Sequence, residues 1–171
     1  VGKTYLARTS ADVIGMPIKI LDMSEYADEY SSNGLVGFEK TWKGAVAGVL
    51  TSYVDENPQS IILVDEIEKA HISAQLLFLQ ILEGARLFDK YYEKYVSFEN
   101  TIIIFTTNCG KNLYQYNEDA DLSAMSESEV LESLREDESF PNELCSRFAA
   151  GNIIVFNHLQ PYYLCDIVRN K

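Results

Sequence analysis

A Gly2-Lys3-Thr4 tripeptide running into a helical stretch with Tyr5, Leu6 and Ala7 carries the residue types that a phosphate group needs. In the pattern G-x-x-x-x-G-K-[ST], backbone N–H groups at a helix N-terminus wrap the phosphates, the lysine neutralises their charge and the hydroxyl binds magnesium. The first glycine of that pattern is absent, so the sequence is expected to enter within the phosphate loop. A bare Gly-Lys-Thr is common by chance and alone reads as a solvated helix start. It gains weight from Ile61-Ile62-Leu63-Val64-Asp65-Glu66, an apolar run ending in two carboxylates. That is the arrangement a magnesium–nucleotide site uses at the carboxyl end of a strand. There Asp65 holds the magnesium, partly through water, and Glu66 is the general base that polarises the attacking water.

Two further residues fit the same chemistry. The run Thr101-Ile102-Ile103-Ile104-Phe105 ends in Thr106-Thr107-Asn108. If this strand neighbours the Asp65 strand, a neutral amide comes to lie beside two carboxylates and can orient the attacking water. On its own, Asn108-Cys109-Gly110 reads equally well as an ordinary turn. Arg147, in Glu143-Leu144-Cys145-Ser146-Arg147-Phe148, stands in a stretch otherwise short of positive charge. Two roles fit it. One is reaching the γ-phosphate held by a neighbouring subunit, where arginine fingers are worth about 10³ to 10⁵ in rate. The other is a surface ion pair of little value.

Such residues must be positioned by a scaffold, and the hydrophobic pattern predicts an α/β one. Four runs rich in β-branched residues, Ile18 to Leu21, Ile61 to Val64, Thr101 to Phe105 and Ile153 to Phe156, suit parallel strands covered on both faces. Trp42, Val46, Val49, Leu50, Tyr53 and Val54 form a stripe at helical spacing that stops before Pro58, predicting a crossover helix. Ala74 to Leu82 predicts a helix apolar almost all round and ended by Gly84. Ser126 and Glu129 form a capping-box signature ahead of Val130, Leu131 and Leu134. From Pro161, Leu164, Ile167 and Val168 start a new helical pattern. The expected division is one α/β subdomain over 1–159 and the start of a second, smaller one over 160–171.

Composition narrows the class. The 171 residues carry 14 Lys and Arg against 26 Asp and Glu, a net charge of -12, which repels a nucleic-acid backbone in the absence of a basic groove. No apolar run reaches the roughly 18 residues of a membrane span and no charged-then-apolar segment opens the sequence, so neither membrane insertion nor secretion is expected. Nucleic acid and membrane are therefore not expected as partners, and a cytoplasmic location is. Cys109, Cys145 and Cys165 show no metal-ligand spacing and suit reduced thiols.

The segment Ile62-Leu63-Val64-Asp65-Glu66-Ile67-Glu68-Lys69-Ala70-His71 closely resembles the Walker B segment of Clp-type AAA+ ATPases, the disaggregases and protease-associated unfoldases. Leu21-Asp22-Met23-Ser24-Glu25-Tyr26 is similar to the family's segment after its second strand. Phe98-Glu99-Asn100-Thr101 with Thr106-Thr107-Asn108 resembles its sensor-1 strand, and Phe140 to Phe148 the segment bearing its arginine finger. The resemblance runs over nearly the whole chain in the family's order. It implies a P-loop AAA+ large subdomain with a parallel sheet flanked by helices. It also implies ATP and Mg2+ as ligands, Gly2, Lys3 and Thr4 at the phosphates, and Thr4 with Asp65 at the magnesium. Glu66, Asn108 and Arg147 become the catalytic set.

Protein substrates, a homo-oligomeric ring, expected to be a hexamer, and an associated protease or adaptor are implied as partners. One departure concerns the first pore loop, where the family's Gly-aromatic-Val-Gly is here Gly34-Leu35-Val36-Gly37-Phe38. Leu35, with Val36 and Phe38, is the expected substrate-facing position, and leucine offers less contact area than an aromatic ring. A second pore-facing segment is expected near Asp89 to Tyr95, where the tyrosines serve either substrate contact or hairpin packing.

Overall fold

The computed structural model describes residues 2–110, 113, 122, 125–137 and 139–157. Among them are five strands, β1 (Ile18–Asp22), β2 (Ile61–Asp65), β3 (Arg86–Asp89), β4 (Lys94–Ser97) and β5 (Ile102–Phe105). Six helices accompany them: α1 (Lys3–Ile14), α2 (Asn33–Val36), α3 (Val49–Glu56), α4 (Ile72–Gly84), α5 (Glu127–Glu136) and α6 (Asn142–Phe148). The helical pattern beyond Pro161 and the proposed boundary at 159/160 lie outside the described residues.

Three of the four apolar runs form one parallel sheet in the order β1-β2-β5, with Ile18 opposite Ile61 and Ile61 opposite Ile102. β2 is central, and Ile61 to Val64 are at most 1% exposed, as a strand covered on both faces requires. The register also fixes the site, since Val64 faces Phe105 and the next residues, Asp65 and Thr106, leave the sheet side by side.

The fourth run is not a strand. Ile153 to Phe156 has no regular structure, and Ile153, Ile154 and Phe156 instead line, with Ile103, Ile104 and Phe105 of β5, a cavity of about 520 Å³. With this cavity beside it, the run pairs with no strand among the described residues.

α4 buries Ala74, Gln75, Phe78 and Ile81, and Phe78 meets Phe105 edge-on at 5.7 Å between ring centres. Its all-round apolar composition leaves Ile72 and Leu76 more than 40% exposed. The helix starts at His71, whose Nδ1 accepts from Ser73 N–H at 3.2 Å. It ends at Gly84 as expected, while the left-handed cap conformation is taken by the following Ala85, at φ 47°. The capping box at the start of α5 forms as expected, with Ser126 and Glu129 bonded reciprocally.

The crossover helix is shorter than the stripe predicts. α3 begins at Val49, and Trp42 and Val46 lie in a loop closed by a 3.1 Å bond from Phe38 N–H to Val46 O. Gly48 sets this limit, because a Cβ there would lie 2.5 Å from Leu35 O and Val36 C. Main chain packs on main chain at that point, leaving Trp42 66% and Val46 56% exposed.

β3 and β4 form an antiparallel hairpin whose tip carries Tyr91 and Tyr92. Asp89, fully buried at the base of the tip, accepts from Tyr91 N–H at 2.9 Å, from Tyr92 N–H at 2.7 Å and from the Thr51 hydroxyl of α3. Lys90 donates its N–H to Val36 O at 2.8 Å and its ammonium to Asn33 Oδ1 at 2.7 Å, holding the tip against α2.

Candidate functional site

Five sequence-predicted residues meet where α1 faces the carboxyl ends of β2 and β5. Gly2, at φ 101°, precedes α1 and places Lys3 and Thr4 in its first turn. The Thr4 hydroxyl donates to Asp65, with Oγ1 3.2 Å from Oδ1 and 3.0 Å from Oδ2. Lys3 Nζ donates to Thr107 O and Asn108 Oδ1, each at 2.5 Å. Residues about 60 and 100 positions apart in sequence thus converge on one strand-end cluster.

Glu66 directly follows Asp65, in the left-handed conformation at φ 58° and ψ 53°, a strained geometry for a residue with a Cβ. Its N–H donates to Thr106 Oγ1 at 3.0 Å, and this contact helps stabilise the turn. Its carboxylate accepts from Asn108 Nδ2 at 2.9 Å through Oε1 and pairs with Lys69 through Oε2. The Glu66 hydrogen bond, foremost, holds the Lys69 ammonium's pKa above its ordinary range, and the charges of Glu66, Asp22 and Glu68 add to it. Asp22 of β1 is itself held below the ordinary carboxylate range by the Ser24 hydroxyl and N–H.

Sequence reasoning missed three members of this cluster. Thr106, buried, donates its hydroxyl to Asp65 and receives Glu66 N–H, so one side chain links both carboxylate-bearing residues to β5. Its signal is positional: a hydroxyl residue one step past a strand that pairs with the Asp65 strand. Glu68 accepts from Asn108 N–H at 3.0 Å. Lys69 is the third, and as part of the Glu68-Lys69 pair it looks in sequence like an ordinary solvated turn.

Arg147 stands apart from Asp65 and Glu66. Its guanidinium pairs with Glu83 of α4 at 2.8 Å, both side chains about half exposed, and it lines the same 520 Å³ cavity as Lys3 and Thr107. Within one chain it is a surface ion pair.

The expected pore-facing positions need correction. Leu35 and Val36 belong to the buried core at 0% and 2% exposure, because α2 turns them inward, and Phe38 is partly buried. Exposed apolar and aromatic side chains of this region include Trp42 and Val46 on the loop, and Tyr92 at 50% on the hairpin tip. Lys40 joins the two, its ammonium 5.1 Å from the Tyr91 ring centre and 5.8 Å from that of Tyr92.

The donor set suits the ligands named from sequence. A hydroxyl and a carboxylate within 3.0 Å offer the oxygen-only environment magnesium takes, with few protein ligands, and Gly2 and Lys3 stand at the N-terminus of a 12-residue helix. Cys109 and Cys145 are free thiols whose pKa burial pushes up, which makes them poor nucleophiles, and Cys165 lies outside the described residues. Among the described residues no helix is long and apolar enough to cross a membrane.

Comparison with known proteins agrees with this fold. Residues 1–150 match the AAA domain (Cdc48 subfamily) family. The ATP-dependent Clp protease ATP-binding subunit ClpE of Bacillus subtilis (strain 168) is 40% identical over 98% of this chain and 24% of its own length. The chaperone protein ClpB of Oceanobacillus iheyensis is 38% identical over 98% of this chain and 22% of its own. The closed-state cryo-EM reconstruction of Hsp104 with ATPγS and FITC casein superimposes with a TM-score of 0.75, at 27% identity, over 85% of this chain and 25% of that one. The chain therefore spans about a quarter of the length of the proteins it matches. With its parallel sheet and its Thr4–Asp65 and Glu66–Asn108 pairs, the chain belongs to the AAA domain family of the Cdc48 subfamily, an α/β module of the AAA+ ATPases similar to the Clp proteins.

Proposed function

We propose that this chain is the ATP-hydrolysing module of a protein-remodelling motor that works as a ring, a hexamer by the resemblance, in the cytoplasm. The observation that carries the reading is the approach of Thr4 Oγ1 to Asp65 at 3.0 Å while the next residue, Glu66, holds Asn108 at 2.9 Å. A phosphate-end hydroxyl, an ion-binding carboxylate, a base and an amide thereby share one cluster.

In this reading Gly2 and Lys3 bind the ATP phosphates, and Thr4 with Asp65 holds the magnesium. Bound magnesium supplies neutralisation of the charge that develops on the transferring phosphoryl group. Glu66 takes the proton of the attacking water at a carboxylate oxygen. Asn108 fixes the direction of that carboxylate through Nδ2. Lys3, donating to Asn108 Oδ1, must turn from it to reach a phosphate, so nucleotide binding and Asn108 placement are linked through one ammonium. Arg147 leaves Glu83 to reach the site of a neighbouring subunit.

Polypeptide is the proposed substrate, by similarity to ClpE, ClpB and ClpC/MecB relatives, with a protease or adaptor as further partners. The alternative reading, an ATPase that remodels one dedicated partner without threading it, is not the one that similarity to these relatives favours. Forced unfolding of a generic unfolded polypeptide separates the two.

The deciding experiment is ATP turnover by the intact protein against its concentration, with and without Arg147→Ala. Turnover that rises with assembly and collapses in the variant supports a ring ATPase with an arginine acting between subunits. Turnover absent at every concentration overturns the reading in favour of a nucleotide-binding scaffold.

A further inference from the structure

Glu68 has no part in the chemistry assigned above, yet it is bound to the centre of the site. It lies in the short turn after β2, two residues past Glu66. Its Oε1 accepts twice from Asn108, from the backbone N–H at 3.0 Å and from Nδ2 at 3.3 Å. Its Oε2 is buried with no hydrogen-bond partner among the described residues. A buried, unpaired carboxylate oxygen costs stability, so a residue selected for stability alone would be shorter or apolar here. Both of the bonds it does make go to one residue.

The amide of Asn108 is thus fixed by three charges. Its two Nδ2 hydrogens face the carboxylates of Glu66 and Glu68, and its Oδ1 faces the Lys3 ammonium. Rotating the amide by half a turn would set an oxygen against two carboxylates and an amino group against an ammonium. If Lys3 turns toward a phosphate, Glu68 still holds both the main-chain N–H and Nδ2 of Asn108, and so keeps the amide directed at Glu66.

We propose that Glu68 is a positioning residue for Asn108, fixing its main chain and its amide so that Nδ2 stays on Glu66 when Lys3 leaves. This rests on the assignment of Glu66 as base and of Asn108 as its orienting amide. The bonds to Asn108, rather than the charge of Glu68 as such, carry the effect, so a neutral acceptor of equal length retains most of it.

The test is a double-mutant cycle in the intact, assembled protein with Glu68→Ala, Asn108→Ala and both changes, reading kcat and KM for ATP. Each single variant is expected to lose on the order of ten-fold in kcat with little change in KM, and the double variant to be no slower than Asn108→Ala alone. Glu68→Gln, whose carbonyl oxygen still accepts from Asn108, recovers most of kcat. Losses that multiply in the double variant overturn the proposal, as does a Glu68→Ala enzyme with normal kcat or a change in KM only. Normal kcat in Asn108→Ala and in Glu66→Gln would instead locate the failure in the underlying assignment, and the proposal falls with it. Should Glu68→Ala not assemble, Glu68→Asp, which withdraws the carboxylate by one methylene, takes its place in the cycle with the same outcomes.

Discussion

Asn108 Nδ2 lies 2.9 Å from Glu66 Oε1, joining the residue after β2 to the loop after β5 across neighbouring parallel strands. Replacing this amide with a carboxylate sets three acids together, with the charge of Glu66 opposed by a neighbour of like sign. Asn108→Asp is therefore expected to lower kcat further than Asn108→Ala does, with ATP binding retained. Steady-state turnover and equilibrium binding of a fluorescent ATP analogue, run on the same preparations, check both halves.

Thr4 and Asp65 are predicted to set the magnesium requirement. Chelation by EDTA should abolish turnover, and Thr4→Ala should raise the magnesium concentration needed for half-maximal turnover, because one of two protein oxygens is gone. Equal magnesium dependence in wild type and Thr4→Ala would remove Thr4 from the ion site.

Leu35 and Trp42 should part company on mutation. Leu35 is fully buried, and Leu35→Ala is expected to cost about 2–5 kcal/mol of stability, seen as a lower unfolding midpoint. Trp42 is 66% exposed, so Trp42→Ala should leave the midpoint nearly unchanged while weakening the stimulation of turnover by an unfolded protein. A Trp42→Ala protein with full stimulation would deny that loop any substrate contact.

The capping box on α5 gives a pH-dependent prediction. The Ser126 hydroxyl, and then its N–H, hold the Glu129 carboxyl below its ordinary pKa. A carboxylate with a lowered folded-state pKa stabilises above its unfolded value, and that contribution is lost as pH falls through the folded one. Ser126→Ala should cost on the order of 1 kcal/mol near neutral pH. Part of that difference should vanish below the ordinary glutamate range, as thermal melts of the two proteins at several pH values will show.

The parallel sheet and the residues at its carboxyl ends were legible because strands covered on both faces read as continuous apolar runs, and Ile61-Ile62-Leu63-Val64-Asp65-Glu66 is such a run with its chemistry attached. Ile153 to Phe156 has the same composition and is not a strand, since pairing depends on what lies alongside and composition does not encode that. Trp42 and Val46 fit a helical period, yet the contact of Gly48 with the backbone of Leu35 and Val36 is a tertiary constraint that overrides the period. Leu35 was expected outward on the strength of a motif, although motifs specify order along the chain and not which way a four-residue helix turns its side chains. Thr106, Glu68 and Lys69 escaped notice because their roles depend on partners about 40 positions away, or in the case of Lys69 on a turn whose geometry no pattern predicts.

Asp89 has a consequence for how this protein can diverge. The shape of the hairpin tip is fixed from beneath, by a buried carboxylate gripping two main-chain N–H groups and the Thr51 hydroxyl, with Lys90 tying the tip to α2. Tyr92 and its neighbours can therefore be exchanged for other side chains while the backbone beneath keeps its course. The fold separates what the tip presents from what holds it up, and new binding preferences can arise there by single substitutions that leave the architecture unchanged.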